Sequence, residues 1–259
     1  MDIVIISVTA FGASLLTFFS GFGLGTILTP VFALFFPLEL AIAMTGMVHL
    51  LNNLFKTSLT AKSISKKVVL KFGLPAILGA FVGAWLLNFL TKIHYSLYNY
   101  QFLGVDKEIT AVKITVAILM ISFALFELIP QLKEIKLSEK ALSFGGVLSG
   151  FFGGLSGHQG ALRSVFLLKL GLSKNVFIAS GIAIACLVDL VRIPLYFSQL
   201  DFQEVLIQNL NILLIALFSA FFGAFLGKKL LTKITIDSIQ LVVGIGIILL
   251  AITLGLGII

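Results

Sequence analysis

SGFGLGTILTP (Ser20 to Pro30) and SGFFGGLSGHQGALR (Ser149 to Arg163) each interrupt an apolar run longer than a single bilayer crossing. Glycine weakens a helix and frees backbone groups, so each run is predicted to break into two shorter helices. Setting Ser20 against Gly154 brings Gly23 onto Gly157, and the same offset lays the apolar segment after the first break on the segment after the second. With a short insertion around Gln199 to Gln203, GAFVGAW (Gly79 to Trp85) then falls on SAFFGAF (Ser219 to Phe225). The chain therefore reads as four segments, repeated.

Eight apolar stretches, each near the ~20 residues that cross a hydrocarbon core or longer, carry this pattern. They run about Ile3 to Phe36, Leu38 to Ala61, Phe72 to Leu90, Val112 to Ile129, Ala141 to Leu170, Asn175 to Phe197, Val205 to Gly227 and Ile236 to Ile259. Apolar residues make up 59% of the 259-residue chain and charged residues 11%, against roughly 25% charged in soluble domains. That leaves too little polar surface to hold the chain in water. The runs are unbroken rather than alternating, which excludes a transmembrane β-barrel. The predicted class is an all-α polytopic membrane protein, with a first membrane repeat over 1–129, a linker over 130–140 and a second repeat over 141–259.

The net charge of +7 would point to nucleic acid in a soluble protein. Here the lysines sit in short connections between apolar runs, where a basic excess reports membrane orientation, and no nucleic-acid partner is expected. The single cysteine, Cys186, can form neither an internal disulfide nor a thiolate metal cluster. MDIVIISVTAFGASLLTFF lacks the basic start of a cleavable signal peptide and is read as part of the first segment. Neither an H-E-x-x-H spacing nor a Walker sequence occurs, so no metal, cofactor or ATP-driven pump is expected.

Loop charge sets the two copies against one another. Lys62, Lys66, Lys67 and Lys71 follow the second segment with no acid among them, which predicts a cytoplasmic loop at an inner (plasma) membrane. The matching loop of the second copy, SQLDFQE, carries Asp201 and Glu204 with no base and is predicted outside. Lys169 with Lys174, and Lys228 and Lys229 with Lys233, fall inside on the same rule. These placements require inverted copies, the layout that puts a transporter site at the bilayer midplane between broken helices.

GFGLGTILTPVFALFFPLELAIAMTGMVHLLNN in the first half and GGVLSGFFGGLSGHQGALRSVFLLKLGLSKNVFIASG in the second resemble the duplicated signature of the TauE/SafE sulfite exporter family. The resemblance covers nearly the whole chain, and it rests on duplication and order more than on any single glycine motif. It implies a membrane carrier linked to sulfite, sulfonates and other organosulfur anions. The second signature departs from the family's pattern, with Gly157-His158-Gln159-Gly160 and then Arg163-Ser164 at the place of Thr29-Pro30. The departure bears on substrate more than on fold.

Ionisable groups at membrane depth are costly, on the order of 2.5 to 3.5 kcal/mol each, and each asks for a reason. Gln159 and Arg163 are four apart, on one face of a half-helix whose N-terminal N–H groups would point at the break. Either Arg163 belongs to an anion site or it snorkels to the headgroups. Thr45, His49, Asn52 and Lys56 fall at spacings of four, three and four, one polar stripe on the second segment. His49 and Asn52 either line a substrate path or bond a neighbouring helix; Lys56, followed by four more lysines, reads as a cytoplasmic end residue. Asp189 and Arg192, three apart, read as a structural ion pair, Trp85 and Tyr196 as belt or packing residues, and His94 as a solvated loop residue.

The predicted substrate-binding set is Gly23, Gly25, Thr26, His49, Asn52, Gly157, His158, Gln159 and Arg163. The predicted function is a secondary transporter of a small anion, worked by alternating access, with proton coupling open through His49 and His158 alongside sodium coupling or facilitation. Two other classes compete. Gly154-Leu155-Ser156-Gly157 matches the G-x-S-G of intramembrane serine proteases, with His49 as the activating base. A non-transporting scaffold would carry broken helices for no evident gain. Nothing in the sequence sets an oligomeric state.

Overall fold

The computed structural model describes residues 2–20, 23–92, 96–129, 141–198, 207–230 and 236–258. The linker 130–140, His94, Lys233 and the loop bearing Asp201 and Glu204 lie outside the described residues.

Both expected breaks are present. Helix α1 (Asp2–Ser20) gives way to α2 (Leu24–Ala33) through Gly23, which is extended at φ −83° and ψ 142°. Helix α6 (Ala141–Ser156) gives way to α7 (Gly160–Leu168) through Gly157, whose φ of +83° is a conformation that favours glycine. Pro37 starts α3 (Leu38–Thr60), and α4 (Lys66–Lys92) follows a short turn. Pro75 of α4 has no N–H to offer the Lys71 carbonyl. The chain accommodates it with a π-helical turn over Val69–Gly73, and Ser143 Oγ donates to that carbonyl at 3.3 Å. The remaining helices are α5 (Ala111–Leu128), α8 (Lys174–Phe197), α9 (Leu210–Leu230) and α10 (Ile236–Gly255).

One element was not foreseen in the all-helical class. Strands β1 (Ser96–Phe102) and β2 (Val105–Thr110) form an antiparallel hairpin between α4 and α5. Leu103 and Gly104, at φ 53° and 77°, make its two-residue turn, with the positive φ at both positions that a tight hairpin prefers. Leu-Gly lacks the Asn-Gly or Asp-Gly signal that would have announced it. Tyr100 Oη donates to the Leu256 carbonyl at 2.6 Å and Lys107 Nζ to that of Ile258 at 2.7 Å, so the hairpin closes the end of α10.

In a bilayer, helices gain little from hiding apolar surface from one another, and close backbone approach takes over. Helices α4 and α6 run side by side in the same direction. A methyl added at Gly150 would overlap the Ala76 carbonyl, one at Gly154 the Ala80 carbonyl, and one at Gly79 the Val147 carbonyl. The pair α1 and α9 repeats this contact, with Gly223 against the Phe11 carbonyl and Gly227 against that of Leu15. These are the same pairing with the halves exchanged, the third segment on the fifth and the first on the seventh. Helices α3 and α8, the second and sixth segments, meet antiparallel: Gly46 lies against Ile193, His49 against Asp189, and Ser65 N–H donates to Ser180 Oγ at 3.0 Å. So do α5 and α10, where Gly244 lies against Leu128 and Gly255 against Ala117.

Each broken segment folds back on itself. Helix α1 runs parallel to α3, with Ser14 beside Asn52 and Phe18 beside Lys56, whereas α2 returns along α3 from Gly23 at His49 past Gly25 at Thr45. Helix α7 likewise returns along α8, from Gln159 at Asp189 to Arg163 at Gly181. Each hairpin enters and leaves at one end of the bundle. Helices α3, α7 and α9 finish, and α4 and α8 start, at a common end that gathers Lys62, Lys66, Lys67, Lys71, Lys169, Lys174, Lys228 and Lys229. There Lys228 Nζ donates to the Leu59 carbonyl at 3.1 Å.

Candidate functional site

The polar stripe of α3 is buried along its whole length: Thr45, His49, Asn52 and Lys56 are each at most 3% exposed. Lys56, expected at the cytoplasmic surface, is instead enclosed. Its Nζ donates to the Ser14 carbonyl at 3.5 Å and sits 5.5 Å over the Phe18 ring. The correction has a simple cause: α1 rises beside α3 as far as Phe18 and covers the last turns that the sequence alone leaves bare.

His49 Nδ1 lies 2.6 Å from Asp189 Oδ2. An ionised carboxylate can only accept, so Nδ1 carries the hydrogen, and Asn53 Nδ2 lies against the ring edge, 3.2 Å from each ring nitrogen. A methyl on Gly23 would stand 3.1 Å from His49 Nε2, so the first break is shaped around the imidazole. Asp189 also receives Arg192 Nε at 2.8 Å and Gln159 Nε2 at 3.3 Å on Oδ1. The ion pair expected from the i,i+3 spacing is therefore the hub of a network joining α3, α7 and α8. Gln159 Oε1 accepts from Arg163 Nη1 at 3.4 Å, and Arg163 Nε passes where a methyl on Gly181 would stand 3.3 Å away.

On the lysine-bearing side of this network is a cavity of about 30 Å³ lined by Thr17, His49, Asn53, Lys56, Arg163 and Ser164 among others. At roughly 10–15 Å³ per water it holds about two, which fits a ligand of a few atoms. Among the described residues Thr17 Oγ1, buried there, has no hydrogen-bond partner. No carboxylate among the described residues lines the cavity. Among the described residues, the buried charged side chains are Lys56, Arg163 and Arg192 against Asp189 alone, three cations to one anion before His49 is considered.

The predicted site residues divide accordingly. His49 and Arg163 line the cavity, Gly23 and Gln159 support them, and Gly25 faces the Gly157 carbonyl where the two breaks meet. Thr26 is buried in the first turn of α2, its N–H donating to the Gly23 carbonyl at 3.0 Å. Asn52 is turned away, donating to Ser14 Oγ at 2.9 Å, and Asn53 takes the position beside His49. His158 Nδ1 lies 2.8 Å from the Ser156 carbonyl and 3.1 Å from Ser156 Oγ. The nearer carbonyl requires Nδ1 to be the donor, so this nitrogen is no base for Ser156, whose own Oγ donates to the Phe152 carbonyl at 3.0 Å. Sequence reasoning missed Lys56, Asn53 and Thr17; the i,i+4 step from His49 to Asn53 was the one available signal.

The profile of the family described as sulfite exporter TauE/SafE matches residues 6–254. The chain belongs to the TauE/SafE family. No curated protein and no solved structure matches it. Family membership makes the chain a membrane transporter of the anion-exporting kind.

Proposed function

We propose that the protein is a secondary transporter of a small oxyanion, sulfite or a compact sulfonate, that works by alternating access between two inverted halves, 1–129 and 141–259. The observation that carries this reading is a ligand-sized cavity lined by two buried basic side chains, Lys56 and Arg163. A buried basic side chain in a membrane protein is expensive, and a bound anion offsets part of that cost. Arg163 supplies a planar fork suited to paired oxygens, Lys56 a point charge and Thr17 a hydroxyl. Inversion is supported by the antiparallel contact of α3 with α8 and of α5 with α10. The lysine-rich end is the cytoplasmic one, at the inner (plasma) membrane, on the positive-inside rule, so the cavity stands toward the cytoplasm. His49, hydrogen-bonded to Asp189 at the floor of the cavity, is the group that would link a proton to the anion's passage.

The deciding experiment is a transport screen of sulfite, thiosulfate, sulfonates and small carboxylates in vesicles of known orientation, with and without a proton gradient. Sulfite or sulfonate flux that tracks the amount of protein is expected. Flux of carboxylates alone would overturn the substrate class, and no flux of any anion would overturn the transport reading.

A further inference from the structure

Beyond the His49–Asp189 contact, on the side away from the cavity, lies a second cluster of polar groups. Arg192 is fully buried; its Nε is held by Asp189 and its Nη1 donates to the Gly153 carbonyl at 3.2 Å, but among the described residues its Nη2 meets no hydrogen-bond acceptor. Thr45 Oγ1 and Thr29 Oγ1, on residues at most 1% exposed, likewise have no hydrogen-bond partner among the described residues. A helical threonine can always give its hydroxyl to the carbonyl one turn back. Thr57, Thr60, Thr91 and Thr115 all do so, to Asn53, Lys56, Leu87 and Ala111. Thr29 and Thr45 do not, and a buried hydroxyl left unmade is costly.

Three glycines lie against these side chains. A methyl at Gly46 would stand 3.4 Å from Arg192 Nη2; one at Gly157 would stand 3.2 Å from Arg192 Nη1 and 3.7 Å from Thr29 Oγ1; one at Gly25 would meet the Thr45 methyl, Cγ2, at 3.6 Å, on the residue next to Gly46. A guanidinium is laid on a glycine on each side of the His49–Asp189 contact, Arg192 on Gly46 of α3 and Arg163 on Gly181 of α8.

We propose that Arg192 Nη2, Thr29 Oγ1 and Thr45 Oγ1 form a second oxyanion position, on the opposite side of the His49–Asp189 contact from the Arg163 cavity. It is closed in this conformation and receives the anion when the halves rock to face the other way. One guanidinium nitrogen and two hydroxyls present donors to the three oxygens of a sulfite or sulfonate. The site deepens the transport reading, since it gives the anion a position on each side of one central contact, but it makes a claim about binding that does not depend on transport.

The test measures binding by thermal stabilisation of the purified full chain, with sulfite and methanesulfonate as probes, alongside anion exchange in vesicles. Arg163→Gln should leave residual anion stabilisation, and adding Thr29→Val and Thr45→Val to it should abolish that residue. The two threonine changes alone should slow exchange by roughly tenfold or more. They preserve shape, so they keep the test open even where an Arg192 variant fails to fold. Threonine variants indistinguishable from their parents in both measurements would overturn the second position, as would no stabilisation of the wild-type chain by either probe. Stabilisation that depends on the threonines in a protein that moves no anion would support the second position and sink the transport reading instead.

Discussion

Lys56 and Arg163 are where the chemistry of single side chains can be separated from fold. A buried ammonium group costs several kcal/mol in desolvation, and replacing it by an apolar group of similar volume is often neutral or stabilising. Lys56→Met is therefore expected to raise or preserve Tm while it weakens sulfite binding about tenfold; a fall in Tm with binding unchanged would make Lys56 a structural cation. Arg163→Lys keeps the charge but loses the fork, and Arg163→Gln loses both. Losing a charge-assisted contact costs roughly 1.5 to 3 kcal/mol, about one to two decades in affinity. Titration with sulfite should rank wild type above Lys and Lys above Gln, and equal affinities would remove Arg163 from the site. The sequence marked Arg163 because a lone arginine in an apolar run is conspicuous. It misread Lys56 because a lysine near a run of lysines is not, and only the packing of α1 shows that it is covered.

Helix pairing is set by where backbone can approach backbone. GGVLSGFFGG on α6 places Gly146, Gly150 and Gly154 at four-residue steps, one face that takes the ridge of α4. Gly150→Val forces side-chain carbon into the Ala76 carbonyl and is expected to cost roughly 2 to 3 kcal/mol, on the order of 5 to 10 °C in Tm. Gly12, where an added methyl would meet nothing, is the control, and Gly12→Val should leave Tm nearly unchanged. Equal shifts for the two would mean that the glycines act through helix propensity and not through contact. The breaks at Gly23 and Gly157 were legible because glycine clusters interrupt otherwise uniform runs. The β-hairpin was not, because a two-residue turn through Leu103 carries no signal of its own and is held by carbonyls at the far end of the chain.

The arrangement of the two halves is testable by labelling from either side of the membrane. Helices α3 and α8 lie antiparallel, so Lys62 and Ser198, just past their C-terminal ends, stand at opposite ends of the bundle. In a Cys186→Ala background, Lys62→Cys is expected to react with an impermeant maleimide only once the cytoplasmic face is opened, and Ser198→Cys from outside. Both labelling from one side would falsify the inverted arrangement; a clean exchange of sides would keep it and reverse the orientation. The eight lysines gathered at one end make the expected sense the one that loop charge predicts.

Composition, run length and the spacing of glycines were enough to determine a polytopic helical membrane protein and the two places where an apolar run breaks, because the bilayer demands long apolar segments and exposes any segment that breaks. Loop charge was enough to predict the sense of each copy. The site required the tertiary structure. Asp189 meets His49 across 140 positions of chain, and the choice of Asn53 over Asn52 turns on a rotation that periodicity alone does not assign. Arg192 becomes more than a partner for Asp189 only when Thr29 and Thr45, on other helices, are seen buried beside it with their hydroxyls unspent. Such meetings are set by which helix backs approach closely and where each broken segment turns, quantities that belong to pairs of helices and that no single stretch of sequence contains.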